Sequence, residues 1–173
     1  MEKAVSTDRK AKRKYSARIQ VRRYEPADRR AVLDIAEESF DGVSLDQNIE
    51  QAFGRVGKKW QIKKREAVDY DLRENPEGAF IAEFDGKMAG FICTRMYGRR
   101  NLGHIVNVAV APGFQGVGVG RALMDRAFRY LERSGAEYLR IETLQQNEKA
   151  QKFYSSLGFT EIGRQIFYFK ELE

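Results

Sequence analysis

Apolar residues return every second position in some stretches of this chain and every third or fourth in others, and the order of those stretches predicts a fold. Arg18 to Tyr24 reads RIQVRRY, with Ile19 and Val21 on one face, which predicts a first strand. Pro26 opens a helix over Ala27 to Phe40, where Val32, Ile35, Ala36 and Phe40 share a side. The polar stretch Asp41 to Asn48 predicts a loop. From Ile49 to Arg73 apolar residues recur raggedly, at Ile49, Phe53, Val56, Trp60, Val68 and Leu72, and Gly54 and Gly57 predict a break inside this second helical region.

Asn75-Pro76 stops the helix, and two strands follow, Ala79 to Phe84 and Met88 to Met96. The dipeptide Asp85-Gly86 between them favours a two-residue type I′ hairpin. Gly98 to Asn101 turns the chain into a third strand, Leu102 to Val110. Val119, Leu123, Ala127 and Leu131 then make the buried stripe of a helix ending near Gly135. A strand over Tyr138 to Thr143, a helix from about Asn147, and final strands at Thr160 to Ile162 and Gln165 to Phe169 complete the pattern. The order β-α-α-β-β-β-α-β-α-β-β predicts a mixed α/β domain with a largely antiparallel sheet flanked by helices.

With 173 residues, one core-bearing domain suffices. No apolar run reaches the length of a membrane span and no apolar leader opens the chain, so a cytoplasmic protein without a membrane partner is expected. Cys93 is the single cysteine and falls in an apolar strand pattern, as core filler would. One histidine, one cysteine and scattered carboxylates show no metal-ligand spacing, so no metal is expected. Residues 1–30 carry eleven Lys or Arg against four Asp or Glu, whereas the rest carry twenty against twenty-one. Residues 1–17 lack apolar periodicity and are expected to be a mobile basic arm ahead of a domain at 18–173; as a solvated tail it needs no partner, though its charge suits nucleic acid.

The richest chemistry lies in Val106 to Gly120, VNVAVAPGFQGVGVG, running into the helix RALMDRAFRYL. A strand, a Pro-Gly turn and three glycines at alternate positions open a helix whose first N–H groups have no internal partner, an arrangement suited to a diphosphate. A P-loop would need Gly-Lys-Ser/Thr, but Arg121 and Ala122 follow Gly120. A dinucleotide fingerprint would need G-x-G-x-x-G, and the spacing here is G-x-G-x-G. The remaining pattern is Q-x-x-G-x-G, filled by Gln115, Gly118 and Gly120. About thirty residues on, Asn147 to Phe159 reads NEKAQKFYSSLGF, with Asn147 placed as N-cap and Gly158 placed to end the helix.

These two segments resemble, in order and separation, the motifs of the GCN5-related N-acetyltransferase (GNAT) family, whose later helix reads N-x-x-A-x-x-F-Y-x-x-x-G-F. The resemblance covers residues 18–171 and implies the acyl-CoA N-acyltransferase fold with acetyl-CoA as cofactor. It implies that Gln115, Gly116, Val117, Gly118, Val119, Gly120 and Arg121 hold the diphosphate. It also implies that Val108, Ala109 and Val110 part from the strand Tyr138 to Thr143 to engage the pantetheine arm, beside the helix that Asn147 caps. By the same resemblance the Val108 amide polarises the thioester carbonyl and Tyr154 assists the departing thiolate.

The acceptor would be a primary amine, on a protein or a small molecule, attacking directly in a site formed by Asp41 to Asn48, the broken helical region and the last two strands. Two residues compete to take its proton. His104 aligns with the position where histone-acetylating relatives carry a glutamate, and imidazole can accept a proton near neutrality. Glu142, in the strand Tyr138 to Thr143, is the alternative. A catalytically weak acyl-CoA-binding module with a basic arm for acidic partners is the other functional class, and a homodimer is compatible with either.

Overall fold

In the computed structural model, which describes residues 18–55 and 57–172, Asp85 and Gly86 both take positive φ, 50° and 74°. That closes the expected I′ turn and sets β2 (Ala79–Phe84) antiparallel to β3 (Lys87–Tyr97), pairing Phe84 with Lys87. β1 (Ile19–Arg23) pairs antiparallel with β2, and β4 (Leu102–Val110) with β3, through the turn ending at Asn101. The sheet order is β1-β2-β3-β4-β5, and only β5 (Tyr138–Arg140) lies parallel to its neighbour. A parallel pair needs a crossover, which α4 (Val119–Arg133) provides.

Each face of the sheet has its own core. Val119, Leu123, Met124, Ala127 and Leu131 of α4 pack on Phe80, Ile92 and Ile105. On the opposite face, Val32, Ile35 and Ala36 of α1 (Arg29–Ser39) join Val68 and Leu72 of α3 (Trp60–Glu74) against Ile81, Phe91 and Cys93. Cys93 is buried there, and burial pushes its thiol far above the ordinary value, as fits core filler. The expected break in the second helical region is present: α2 (Leu45–Phe53) ends before Gly54, and α3 starts at Trp60.

Three expectations need correction. The loop at 41–48 is shorter, because Gln47 accepts from the Gly42 N–H at 2.6 Å and α2 starts at Leu45. β5 stops at Arg140 rather than Thr143, because β4 bends away from it. No strand forms at 160–162 or 165–169: the chain from Phe159 to Leu172 has no turn or bend, so the hairpin these strands would need is missing. The expected basic arm, residues 1–17, lies outside the described residues. No helix among the described residues is long and apolar enough to cross a membrane.

A half-buried polar network fastens α3 to the sheet. Lys64 Nζ donates to Asn107 Oδ1 at 2.7 Å and sits 3.5 Å from the centre of the Phe40 ring. Asn107 Nδ2 donates to Asp71 Oδ2 at 2.7 Å, and Arg95 donates to Asp71 Oδ1 at 2.8 Å. Burial raises the Asp71 carboxyl above its ordinary value, with Arg95 and Lys64 opposing. Burial also lowers the Lys64 ammonium from 10.5 to about 8, with Asp71 opposing. Between those two values the folded protein holds fewer protons than the unfolded chain, so this residue makes stability rise with pH. In urea titrations from pH 8 to 10.5, wild-type protein should therefore gain stability relative to Lys64→Met. Parallel curves for the two proteins would show that the ammonium is not perturbed.

Candidate functional site

β4 and β5 pair only at Leu102, Gly103 and His104, opposite Tyr138, Leu139 and Arg140. Immediately beyond, β4 carries a bulge: Thr94 pairs with Ile105 and Cys93 with Asn107, leaving Val106 as the extra residue. A bulge bends its strand and adds twist. From there the two chains diverge, and a cleft of about 2530 Å³ opens between β4, residues 141–147, the glycine loop and α2.

The backbone of β4 is oriented for use in this cleft. Ala111 N–H donates to Ala89 of β3 at 2.9 Å, and amides along a strand alternate between its two edges. The Val108 and Val110 amides, in the other phase, face the side that β5 has vacated. Ala109 points into the core on the α1 and α3 face, so its part in the cleft is played by main chain.

At one end of the cleft lies the glycine loop. Gly118 takes φ 104° and ψ −1° just before α4, a conformation a side chain would strain. The first helical bond is Ala122 N–H to Gly118 O at 3.1 Å, so the Val119, Gly120 and Arg121 amides precede it without helical acceptors. A Cβ on Gly120 would stand 3.3 Å from Phe153 Cζ, so this glycine lets α5 (Glu148–Ser156) close onto the loop. Gln115 braces the same junction: its Nε2 donates to Val110 O at 3.1 Å and its Oε1 accepts from Lys149. Its side chain therefore shapes the loop. Gly116, Val117 and Arg121 also line the cleft.

α5 begins as the sequence predicts. Asn147 Oδ1 accepts from Ala150 N–H at 3.2 Å, and Gly158 follows the helix at φ 91°. Tyr154 lines the cleft, its ring 5.8 Å from Phe153 and 6.1 Å from Phe159. Its hydroxyl makes no hydrogen bond among the described residues. Burial, reinforced by the negative charge of Glu142, pushes the phenol up to about 12.

The two competing proton acceptors prove to be partners. His104 Nε2 lies 3.0 Å from Glu142 Oε2, which also accepts from Arg140 Nε at 2.9 Å. His104 is 8% exposed, stacks on Tyr97 and keeps its Nδ1 buried without a partner among the described residues. Glu142, by contrast, lines the cleft with a side chain 57% exposed. The hydrogen bond from His104 holds the Glu142 carboxyl below its ordinary value, with burial opposing. His104 thus stands behind Glu142 rather than in the cleft.

Sequence reasoning missed Lys64, which reaches the cleft between Phe40 and Asn107. The available signal was its spacing: Trp60, Lys64, Val68 and Leu72 recur every four residues, so a lysine occupies the buried stripe of α3. Asn107, likewise, interrupts the apolar alternation of β4 at an inward position. Among the described residues no group of three or more His, Cys, Asp or Glu side chains could hold a metal ion.

Comparison with known proteins matches this architecture. The mycothiol acetyltransferase of Streptomyces avermitilis is 33% identical over 110 residues, 62% of this chain and 36% of that protein. The uncharacterized N-acetyltransferase MJ1207 of Methanocaldococcus jannaschii is 30% identical over 109 residues, 60% of this chain and 47% of that protein. The chain therefore spans less than half the length of these relatives. Among solved structures, the aminoglycoside N-acetyltransferase AAC(6')-Iy in complex with CoA superposes with a TM-score of 0.64 at 20% identity, covering 89% of this chain and 95% of that one. The ribosomal-protein-S18-alanine N-acetyltransferase of Escherichia coli gives 0.59 at 24% identity, covering 84% and 79%. These two likenesses are of fold. The family model described as "Acetyltransferase (GNAT) family" matches residues 31–159, most of the chain, and the chain belongs to that family.

Proposed function

We propose that this chain transfers an acetyl group from acetyl-CoA to a primary amine by direct attack. One observation carries the reading: β4 leaves β5 beside an open helix N-terminus, and the resulting cleft is lined by Tyr154 and by Glu142, which His104 backs from behind. The CoA bound by the AAC(6')-Iy neighbour and the acetyltransferase names of the relatives support it. The main chain of Gln115 to Arg121 fits a diphosphate, since the Val119, Gly120 and Arg121 amides lack helical acceptors at the positive end of the α4 dipole. Val108 and Val110 offer amides to an extended pantetheine arm.

When bound, acetyl-CoA supplies a thioester carbonyl, and the Val108 amide donates to its oxygen as negative charge develops there. The amine nitrogen forms the new bond to the acetyl carbon, the carbon–sulfur bond breaks, and the amine proton passes to the Glu142–His104 pair. Glu142 meets the amine because it faces the cleft; His104 is a positioning residue that fixes the carboxylate. Tyr154 acts as a hydrogen-bond donor to the leaving sulfur. A phenol near 12 is too weak an acid to surrender its proton to a thiolate whose own value is about 8.5, a step uphill by about 5 kcal/mol.

The acceptors named among the relatives and neighbours differ, so the amine class is assigned no further. Asp41, Asp46 and Glu142 line the cleft together with Lys64 and Arg140, the last paired with Glu142 at 2.9 Å, so the lining carries both signs of charge.

Glu142→Gln should lower turnover by about 10²- to 10⁴-fold in a thiol-release assay over an amine panel, with coenzyme affinity unchanged. Tyr154→Phe should lower kcat by about 10- to 100-fold while leaving the coenzyme Kd intact; equal turnover would remove it from the reaction. Gly120→Leu must displace Phe153 and should weaken coenzyme A binding by at least about 10-fold in isothermal titration. Unchanged affinity in that variant would place the diphosphate elsewhere.

A further inference from the structure

We propose that the acceptor is an amino acid, an amine that also carries a carboxylate, and that Lys64 Nζ and Ser44 Oγ hold this carboxylate at the N-terminus of α2. The inference rests on the acetyl-transfer reading and names the acceptor class for the same cleft.

It starts from the positive groups along the lining. Arg140 and Arg164 are paired with Glu142 and Glu161, at 2.9 and 2.7 Å. Arg121 and Lys149 belong to the glycine loop, where Lys149 donates to Gln115. Lys64 stands apart from all four. It reaches the cleft from α3 and has no ion pair among the described residues. Of its three protons, one goes to Asn107 Oδ1 at 2.7 Å, and the nitrogen lies 3.5 Å from the centre of the Phe40 ring. Neither partner is an anion. Asp71 and Asp46 act on the charge only from a distance, Asp71 from behind Asn107. Burial brings the ammonium down to about 8, so at neutral pH it remains charged but incompletely compensated. A ligand carboxylate is the counter-ion this group lacks.

Ser44 supplies the second half of the site. It occupies the N-cap position of α2, yet its side chain caps nothing. The first helical bond runs from Asn48 N–H to Ser44 O at 3.2 Å, so the Leu45, Asp46 and Gln47 amides precede it without helical acceptors. Ser44 is 5% exposed, and its hydroxyl makes no hydrogen bond among the described residues. A buried hydroxyl left this way is costly until a partner arrives. The oxygen is not sealed into the interior, and Ser44 lines the cleft, so its remaining exposure opens there. The chain brings the two groups to one place. Phe40, which packs on Lys64, accepts from Val43 N–H at 3.2 Å, and this tight turn leads directly into Ser44.

The negative groups fit the other half of the same molecule. Asp41, Asp46 and Glu142 also line the cleft, and an amino acid presents one charge of each sign, as this lining does. A polyamine would set a second cation near the Lys64 ammonium and leave the Ser44 hydroxyl unmatched, so the same pair of residues selects against it.

The test compares amino acids with the amines left when the carboxylate is removed: glycine with methylamine, β-alanine with ethylamine, lysine with cadaverine. In a thiol-release assay the acid should be preferred in at least one pair. Lys64→Gln should lower that acid-to-amine ratio of kcat/KM by about 10- to 100-fold, mostly through KM, and Ser44→Ala by about 3- to 10-fold. Because each compound's basicity is the same for all three proteins, the change in ratio reads the carboxylate contact alone. In ¹⁵N-lysine-labelled protein saturated with coenzyme A, propionate should shift the Lys64 side-chain signal, whereas ethylamine should not. Preference for the amine in every pair, or a ratio unmoved by both variants, would overturn the proposal. Absence of thiol release with every compound would instead count against acetyl transfer, and the propionate titration then decides alone: a shifted Lys64 signal upholds the carboxylate site, and an unshifted one overturns it.

Discussion

A single break in hydrogen bonding organises this molecule: β4 pairs with β5 for three residues and then leaves it. A parallel pair continued to the end of β4 would have consumed the Val108 and Val110 amides and filled the space where the cleft now lies. The bulge at Val106 ends that pairing within the strand itself, so no loop has to hold the two walls apart. It also resets the phase of β4. Ile105, Val108 and Val110 face α4, while Asn107 and Ala109 face α1 and α3, so one strand serves two cores while presenting its backbone to the gap. The half-buried Lys64–Asn107–Asp71 network is tied to the residue beside the bulge, which makes α3 part of the device that holds the break open.

Most of the scaffold was legible because its signals are local. The Asp85-Gly86 turn, the limits of β4, the stripe of α4, the interruption at Gly54 and the cap at Asn147 each follow from a few adjacent residues whose backbone preferences agree with the final structure. The corrections are non-local. Tyr138 to Thr143 has strand composition throughout, but whether its second half pairs depends on the path of β4, which is set by a bulge with no glycine or proline to announce it. Gln165 to Phe169 likewise has strand composition, but the chain from Phe159 to Leu172 makes no turn that would fold it into a hairpin, and no strand forms there.

The site was legible as residues but not as relations. His104 and Glu142 stood as rivals because they are 38 positions apart, and only the three-residue pairing of β4 with β5 brings Nε2 within 3.0 Å of the carboxylate. Once paired, they differ in exposure: His104 is buried, whereas Glu142 lines the cleft. Gln115 changed in a similar way: its side chain is spent on Val110 and Lys149, so it braces the loop. Lys64 escaped notice because a lysine on a helix is ordinarily read as solvated, and its lowered pKa arises from burial among Phe40 and Asn107, residues distant in sequence.

The charges that line the cleft are of both signs. Arg121 and Lys149 stand by the helix amides of the loop, while Glu142 is paired with Arg140 and Asp46 acts on the Lys64 ammonium. Under the proposed reaction, burial and, secondarily, the charge of Glu142 raise the Tyr154 phenol to about 12, so the group serves a departing sulfur as a hydrogen-bond donor rather than as an acid.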